Sequence, residues 1–492
     1  MATDLCLRSV TELAADIRRG DVSPVEAVEA YLDRIETRNG ELCAYTTVLD
    51  TAAKAKAKRA AAAVERGDET GPLHGVPVAI KDLFAPKAGV RHTYGSTVFE
   101  DNVADRTAPV VERLEAAGAI VLGKTSTPEF GNRPVTDSEL VGTTVTPFDP
   151  SKVAGGTSGG SAVAVAAGMA AAAQGSDAGG SIRIPAAFCG VYGLKPSFGR
   201  VPNGSRPNAF AEHTPFVQHG PLTRTVADAA LLLDVMAGPH PDDPFTHPES
   251  ETPFTDHVGR PVDEFEVAYS SDLGLFRIED EVRDVVEASV GALATAGATV
   301  ERVDVEFDRS KDEIQDAWRT FFQVLLADVA RGIEETYGID LLADHRSEID
   351  PLFVKIVEAG RSHSVMAYKR ADTVRTDVYD TVQEVFSSYD LLVTPTVAVP
   401  PFDATEMGPT EIAGEPSDPF IDWMLCWLFN MTDHPAASVP AGFTDDGLPV
   451  GLQVVGSRFA DGDVLAASAA IENVRPWQDA YERLELEFGS NI

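Results

Sequence analysis

Two glycine-rich turns carry hydroxyl groups at a fixed separation. The first turn covers residues 155–161 (GGTSGGS) and the second covers residues 177–183 (DAGGSIR), so that Ser181 follows Thr157 by 24 residues. Glycines beside Ser181 let the backbone approach a ligand closely and aim consecutive N–H groups at one point. An oxyanion hole requires such an arrangement. The pattern therefore indicates nucleophilic chemistry at a serine hydroxyl.

A lysine ends an apolar run upstream of both turns. Residues 76–80 (VPVAI) predict a buried strand, which ends at Lys81 and Asp82. A lysine at the end of such a strand is desolvated, and desolvation disfavours its charged form and makes it a usable base. Each feature alone is typical of an ordinary loop or a surface charge. Together they favour a hydrolase with a serine and a lysine.

Two shorter patterns compete for the same part of the chain. Residues 118–125 satisfy GxxxxGK[ST], the phosphate-binding loop, but the middle of this segment is itself a predicted strand rather than a loop. Residues 156–160 satisfy GxSxG, the nucleophile elbow, yet no buried strand directly precedes them. No spacing singles out His345, His363 or His434 as a partner. We favour neither nucleotide binding nor a serine–histidine triad.

The elements that must position these residues alternate between helices and short apolar strands. Capping boxes at Ser9 and Ser23 each begin a helix. Further helices are predicted at about 52–66, 107–117, 161–168, 280–296, 312–337 and 363–388, and strands at 76–80, 119–122, 265–269, 298–302, 390–394, 436–440 and 451–455. Residues 202–222 and 239–262 are predicted to be surface loops. The alternation predicts an α/β fold with a mostly parallel or mixed sheet.

The composition is that of a globular but strongly acidic protein. Among 492 residues, 77 are acidic and 40 are Lys or Arg, which gives a net charge of −37. Such a surface repels nucleic acid and anionic membranes, which bind Lys/Arg patches. The acidic residues are spread along the whole chain rather than gathered in a tail. This distribution is typical of a protein from a salt-rich cytoplasm, where screening weakens self-repulsion.

Cysteine usage and the first residues predict a cytoplasmic location. The four cysteines are far apart, and we expect reduced thiols. The N-terminus has neither the basic segment nor the apolar run of a signal peptide. The longest apolar stretch, residues 162–173, is too short to cross a bilayer. No metal-spaced cluster or dinucleotide fingerprint is present in the sequence, so no cofactor and no metal are expected.

The central run is similar to the amidase signature family. The matching segments are residues 75–82, 155–161, 175–190 (GSDAGGSIRIPAAFCG), 193–197 (GLKPS) and 199–200, with weaker ones at 390–396 and 435–456. The resemblance thus covers most of the chain. It implies one α/β/α domain over residues 1–492 around a large mixed sheet. Within it, the signature core covers about 70–200, a loop-rich insertion 202–262, and further helices and strands 263–492.

The family's Ser–cis-Ser–Lys triad carries over to matching positions. The resemblance implies that Ser181 is the nucleophile and Lys81 the base, with the bridging position at Thr157. Serine is commonest at that position in the family. Threonine keeps the hydroxyl, but its extra methyl group restricts χ1. Ser158 is the alternative bridge.

The resemblance also implies the remaining parts of the site. The backbone N–H groups of four consecutive residues would form the oxyanion hole: Ala178, Gly179, Gly180 and Ser181. An ion pair between Asp177 and Arg183 would brace this turn. The implied reaction is hydrolysis of a carboxamide, to a carboxylate and ammonia or an amine, through a serine acyl-enzyme.

Three functions are compatible with the sequence. The first is a stand-alone amidase acting on a small amide, and the second is the glutaminase component of a tRNA-dependent amidotransferase, which works with partner subunits. The GYYDAY type of segment typical of that component is not evident, and residues 358–368 read EAGRSHSVMAY instead. The third is an inactive binding scaffold. The first is favoured.

The substrate is not fixed by the sequence. Phe130 and Trp423 or Trp427 are candidates for an apolar wall, although core packing is the commoner role of such residues. The oligomeric state is open, and a homodimer is compatible with the sequence.

Overall fold

Eleven strands form one sheet that runs through the protein. The structure, a computed structural model, describes residues 5–211 and 216–490. The sheet has the order β1-β3-β2-β6-β8-β7-β14-β15-β11-β9-β10, and two small hairpins, β4–β5 and β12–β13, lie outside it. The strands are β1 (Tyr45–Val48), β2 (Pro77–Lys81), β3 (Ile120–Thr125), β4 (Asp137–Ser138), β5 (Gly142–Thr143), β6 (Ala172–Asp177), β7 (Tyr192–Lys195), β8 (Gln218–Thr223), β9 (Glu266–Tyr269), β10 (Thr299–Arg302), β11 (Leu391–Pro395), β12 (Glu411–Ile412), β13 (Glu415–Pro416), β14 (Ala436–Phe443) and β15 (Pro449–Gly456).

The sheet is mixed, as expected, but it is not mostly parallel. Parallel pairing is confined to β2 with β3 and β6, and to β9 with β10 and β11. Between these two groups, β6, β8, β7, β14, β15 and β11 form consecutive antiparallel neighbours. A short connection such as that between β14 and β15 can join only antiparallel strands. The prediction of a mostly parallel sheet was therefore wrong.

Helices and helical turns connect the strands. They are α1 (Val10–Arg19), α2 (Pro24–Leu42), α3 (Asp50–Arg66), α4 (Pro109–Ala116), α5 (Gly159–Ala166), α6 (Arg183–Phe188), α7 (Val226–Met236), α8 (Asp280–Thr295), α9 (Lys311–Tyr337), α10 (Leu341–Asp344), α11 (Pro351–Ser362), α12 (Val365–Phe386), α13 (Leu428–Met431), α14 (Asp461–Val474) and α15 (Asp479–Ser490). The predicted capping box at Ser9 is present, and Ser23 caps α2 with Pro24 in its first turn. In the part of the chain that the structure describes, no helix is both long and apolar enough to span a membrane.

Two arrangements of these elements shape the site. Helix α5 lies against β2, β6 and β8, and the long helix α9 packs on α11 and α12. Strand β8 is entirely buried between β6 and β7, although its sequence was predicted to belong to a surface loop. The strand contains a histidine, a glycine and a proline, so it lacks the β-branched and aromatic residues by which strands are recognised.

Candidate active site

Lys81 and the second turn meet because β2 and β6 are parallel neighbours. Strand β2 ends at Lys81 and β6 ends at Asp177, and both strands are fully buried. The carboxyl ends of parallel strands lie at the same edge of a sheet. The backbone N–H of Lys81 also donates to Gln174 Oε1 at 3.1 Å, which fixes the strand end. Ser181 follows β6 by four residues and therefore lies close to this edge.

The first turn is held against the second by hydrogen bonds and by the absence of a side chain. Gly156 has φ +37°, and a Cβ there would lie 2.3 Å from Pro185 Cδ, so only glycine fits. Thr136 Oγ1 donates to the Gly156 carbonyl at 2.5 Å. The backbone N–H of Ser158 donates to the Ser181 carbonyl at 3.1 Å. The two turns that the sequence places 24 residues apart are thus joined directly.

The Lys81 amine is surrounded by hydroxyls. Its Nζ is hydrogen-bonded to Thr157 Oγ1, to Ser158 Oγ at 2.9 Å, and to the hydroxyl and carbonyl of Ser176 at 3.0 and 3.3 Å. Lys81 is fully buried. Burial lowers the pKa of Lys81 well below its usual value, and the charge of Asp177 opposes this effect only in part. Lys81 is therefore suited to accept a proton at neutral pH.

Ser181 faces a cavity of about 580 Å³ that Thr157 and Ser176 also line. Ser181 is partly exposed to this space, and its Oγ has no hydrogen-bond partner among the described residues. The structure thus brings all three predicted triad residues to one place. It contains the contact between Lys81 and Thr157 but no hydrogen bond between Thr157 and Ser181. Rotation about χ1 of Ser181 is the movement that can bring the two hydroxyls together.

The bridging residue differs from the implied geometry in its peptide bond. Within residues 5–211 and 216–490 the cis peptide bond is Arg206–Pro207, and the bond before Thr157 is not cis. A trans bond is what a non-proline residue favours, by about 2.5–4 kcal/mol. The cis geometry implied by the resemblance is therefore absent here.

The predicted oxyanion hole has three unoccupied donors rather than four. The Gly180 N–H donates to Asp177 Oδ1 at 2.7 Å, so it is already engaged. The N–H groups of Ala178, Gly179 and Ser181 donate to no residue that the structure describes. Gly180 keeps a structural role, since its φ of +115° and the closeness of Cys426 exclude a side chain. It is corrected here from a donor to a turn residue.

Asp177 and Arg183 form the predicted ion pair beneath this turn. Arg183 donates from Nε and Nη2 to the two carboxylate oxygens, each at 2.9 Å, and both residues are fully buried. The remaining guanidinium hydrogen bonds go to Cys426, Asn430 and Gln453. Burial alone would raise the pKa of Asp177, but Arg183 outweighs it and holds that pKa well below its usual range.

Aromatic and aliphatic side chains form the rest of the cavity wall. Helix α9 presents Trp318, Phe322, Leu325 and Leu326 along one face, at helical spacing. Trp318 and Phe322 are stacked with centroids 5.0 Å apart. A Cβ on Gly179 would lie 3.0 Å from the Trp318 indole, so this ring covers the oxyanion turn.

The candidate wall residues from the sequence divide into two groups. Phe130 lines the cavity, with φ +51°, a strained value for a phenylalanine. Trp423 does not line it and instead stacks on Phe188 at 5.7 Å. Trp427 is likewise a core residue, against Trp318. Ser176, Trp318 and Phe322 were not identified from sequence, although the spacing of the last two on a predicted helix is a signal that could have found them.

The two competing motifs are placed where they cannot act as such. Residues 120–125 form the buried strand β3, so the apparent phosphate loop has no free backbone loop. None of the described residues lining the Ser181 cavity is a histidine. His345 pairs with Glu348, His363 with Gln323, and His434 with Gln383 and Thr432.

Comparisons with known proteins agree with this geometry. The family model described as Amidase matches residues 26–465. An acylamidase of Rhodococcus erythropolis is 37% identical over 472 residues, which cover 96% of each chain. The glutaminase-type component of the glutamyl-tRNA(Gln) amidotransferase of Koribacter versatilis (strain Ellin345) is 34% identical, over 94% of this chain and 97% of the other.

A solved structure is similar over almost the whole length. A bacterial aryl acylamidase of the amidase signature enzymes has a TM-score of 0.92 and 36% identity, and the match covers 97% of this chain and 98% of the other. A 6-aminohexanoate cyclic dimer hydrolase has a TM-score of 0.87 at 29% identity, with 96% and 98% covered. The chain therefore belongs to the amidase signature family and is an amidase, a hydrolase of amide C–N bonds.

Proposed function

We propose that this protein is a stand-alone acylamidase in which Ser181 is the nucleophile, Lys81 the base and Thr157 the bridge between them. The observation that carries the proposal is the environment of Lys81. Its Nζ is buried, contacts hydroxyl groups and no carboxylate, and lies beside the cavity that Ser181 faces. A neutral lysine in this position can draw a proton through one hydroxyl from another.

Acylation follows from this arrangement. Neutral Lys81 takes the Thr157 hydroxyl proton while Thr157 takes the proton of Ser181. Ser181 Oγ attacks the amide carbonyl carbon, and the C–O bond forms as the carbonyl π electrons move to oxygen. The N–H groups of Ala178, Gly179 and Ser181 stabilise that oxyanion, and loss of one such donor typically costs about 2.7–4 kcal/mol.

Release of the amine and of the acid completes the cycle. As the oxyanion collapses, the C–N bond breaks, and Thr157 protonates the leaving nitrogen while regaining a proton from Lys81. Lys81 is then neutral again. Water attacks the Ser181 ester, giving its proton through Thr157 to Lys81. Collapse of the second tetrahedral intermediate returns that proton to Ser181 and frees the carboxylic acid.

The cavity supports an apolar amide as the substrate. Nearly all of its wall comes from carbon-rich side chains, with Arg133 the one charged residue among the described lining. Arg133 is itself paired with Asp137 at 3.0 Å and with Asp350. Burial of an aryl or alkyl group against Trp318 and Phe322 is favourable by about 25 cal/mol per Å². Relatives described as an acylamidase and an aryl acylamidase are in keeping with this choice.

The glutaminase component of an amidotransferase is the alternative. Glutamine is zwitterionic and would leave its charged groups unpaired against the same wall, at a cost of several kcal/mol. The apolar wall therefore favours a stand-alone enzyme without amidotransferase partner subunits. A glutaminase activity together with co-purifying partners would reverse this choice.

We further propose that the whole chain, residues 1–492, folds as one amidase domain that works in the salt-rich cytoplasm of a halophilic archaeon. One sheet takes its strands from residues 45 to 456, which supports a single domain. The net charge of −37 and the four unpaired cysteines support a saline, reducing compartment. Measurement of unfolding against KCl concentration tests the salt requirement, because a mesophilic acidic enzyme would fold fully at low salt.

The test of function is amine release from a panel of anilides, alkyl amides and glutamine in molar KCl. We expect turnover of apolar anilides, none of glutamine, and complete loss in Ser181→Ala. Ser289→Ala is the matched control, since Ser289 is a buried serine on α8 outside the cavity. Equal loss in both variants, or turnover of glutamine alone, would overturn the proposal.

A further inference from the structure

A second cavity lies next to the one that contains Ser181. It has a volume of about 780 Å³ and shares Leu83, Phe84 and Leu325 with the first cavity as a common wall. Its lining is more polar, and includes His92 and the hydroxyl pair of Tyr94 and Tyr337, which are 3.0 Å apart. The mechanism proposed above uses none of these residues.

His92 is held in one orientation by the residue that follows Lys81. Its Nδ1 is 2.9 Å from Asp82 Oδ1, and both residues are buried. Burial would raise the pKa of Asp82, but the hydrogen bond from His92 and the nearby Lys124 lower it to about 2. Burial also lowers the pKa of His92. Asp82 is thus a carboxylate, so Nδ1 carries the proton and Nε2 is left as a hydrogen-bond acceptor.

The Nε2 atom has no hydrogen-bond partner in the part of the chain that the structure describes. Leaving a buried polar atom unpaired is costly. The cations at this cavity cannot be what it lacks, because each already has partners. Arg106 donates to the Gly204 carbonyl, Arg206 to Asp242, and Arg331 to Asp328 and Glu335. The unmet requirement is therefore for a hydrogen-bond donor.

We propose that this second cavity is a substrate subsite, in which His92 Nε2 accepts a hydrogen bond from a hydroxyl or N–H group remote from the scissile amide. The inference rests on the proposed amidase site and extends it. The preferred substrate is then an amide with an apolar part against Trp318 and Phe322 and a donor group that reaches past Leu83 and Phe84. Replacement of that donor by a methyl ether removes the hydrogen bond while keeping nearly the same shape.

The test compares matched amides whose chains end in a hydroxyl or a methoxy group, over a range of lengths. One series extends the acyl side of 4-nitroanilides and the other extends the amine side of benzamides. At the length that spans the two cavities we expect kcat/KM to favour the hydroxyl about five- to tenfold. His92→Phe should reduce this ratio to about one, and so should His92→Asn, which can still bond Asp82 but is too short to offer an acceptor at the position of Nε2.

The ratio separates a binding role from a structural one. If His92 only supports Lys81 through Asp82, both substrates lose activity together and the preference survives, which overturns the subsite. His363→Phe is the matched control, because His363 contacts Gln323 outside both cavities and should keep the ratio. Calorimetry of the same pairs on Ser181→Ala measures the preference without turnover. Loss of hydrolysis with a preserved binding preference would contradict the catalytic proposal alone, whereas no preference at any length in either assay contradicts the subsite alone.

Discussion

Two fully buried cationic side chains lie near the second turn, and their surroundings are opposite. Arg183 is bound in a bidentate manner by Asp177 and also contacts Asn430 and Gln453. Lys81 contacts only hydroxyls, a carbonyl and no carboxylate within hydrogen-bond distance among the described residues. Burial would lower the pKa of both groups, yet that of Arg183 is raised and that of Lys81 is lowered.

The partner of a buried basic group, rather than burial itself, thus decides what that group does. A carboxylate in contact keeps Arg183 charged and makes it a strut for the oxyanion turn. Hydroxyl partners leave the desolvation of Lys81 largely uncompensated, so its neutral form is favoured. The same turn therefore has a rigid ionic support on one side and a base on the other.

The largest expected effect is the loss of the base. Lys81→Met removes the proton acceptor and keeps the volume of the side chain, so kcat/KM should fall by about 10⁴-fold, at the upper end for general-base catalysis. Initial rates on a 4-nitroanilide measure this. A fall below tenfold, in a protein with wild-type circular dichroism, would show that Lys81 is not the base.

Loss of the ionic support should act on stability. Asp177→Asn leaves the Arg183 guanidinium buried without its counter-charge, which typically costs about 3–5 kcal/mol in free energy of unfolding. Urea denaturation at constant high KCl measures the difference. An Asp177→Asn enzyme of wild-type stability would mean that the ion pair does not support the turn.

The bridging hydroxyl separates shape from proton transfer. Thr157→Val is nearly isosteric but has no hydroxyl, and should lower kcat/KM by about 10²–10³-fold. Thr157→Ser restores the hydroxyl and should stay within about tenfold of the wild type. Ser158→Ala is the companion variant, because a greater loss there than in Thr157→Val would transfer the bridge to Ser158.

The smallest expected effect is a pH-dependent gain in stability from Lys81→Met. Where the pH lies between the folded and unfolded pKa values of Lys81, the unfolded chain binds one more proton than the folded one, so wild-type stability rises with pH. Lys81→Met should thus be the more stable protein at pH 7, by at least about 1 kcal/mol. The difference should shrink toward about pH 10, the usual pKa of lysine, and the activity of the wild type should rise with pH to a plateau. Equal stability at both pH values would show that Lys81 is charged in the folded protein.

The sequence predicted the polar half of the site better than the apolar half. Lys81, Thr157, Ser158 and Ser181 stand in motifs whose spacing carries the chemistry, and the structure places them together. Trp318 and Phe322 lie far later in the chain, on a helix whose length was predicted but whose orientation was not. Which face of α9 meets the cavity depends on its packing against α11 and α12, and that packing is a tertiary property.

Errors in the sheet have a similar origin. Strands β9 to β11, β14 and β15 were predicted because they are apolar runs, whereas β8 has polar and turn-forming residues inside a wholly buried strand. Burial between β6 and β7 overrides local propensity there. With β8 unassigned, the antiparallel centre of the sheet could not be derived. The engagement of the Gly180 N–H by Asp177 is likewise a matter of turn geometry that spacing does not encode.

Trapping the acyl-enzyme tests the role of Ser181 at the reacting atom itself. The enzyme is mixed with a slowly hydrolysed 4-nitrophenyl ester or anilide, quenched in acid within the first turnover, and digested for mass spectrometry. We predict the acyl group on the peptide that contains Ser181, none in Ser181→Ala, and formation at least about 100-fold slower in Lys81→Met. Steady hydrolysis with no acyl group on Ser181, or with the group on another residue, would contradict the proposed mechanism.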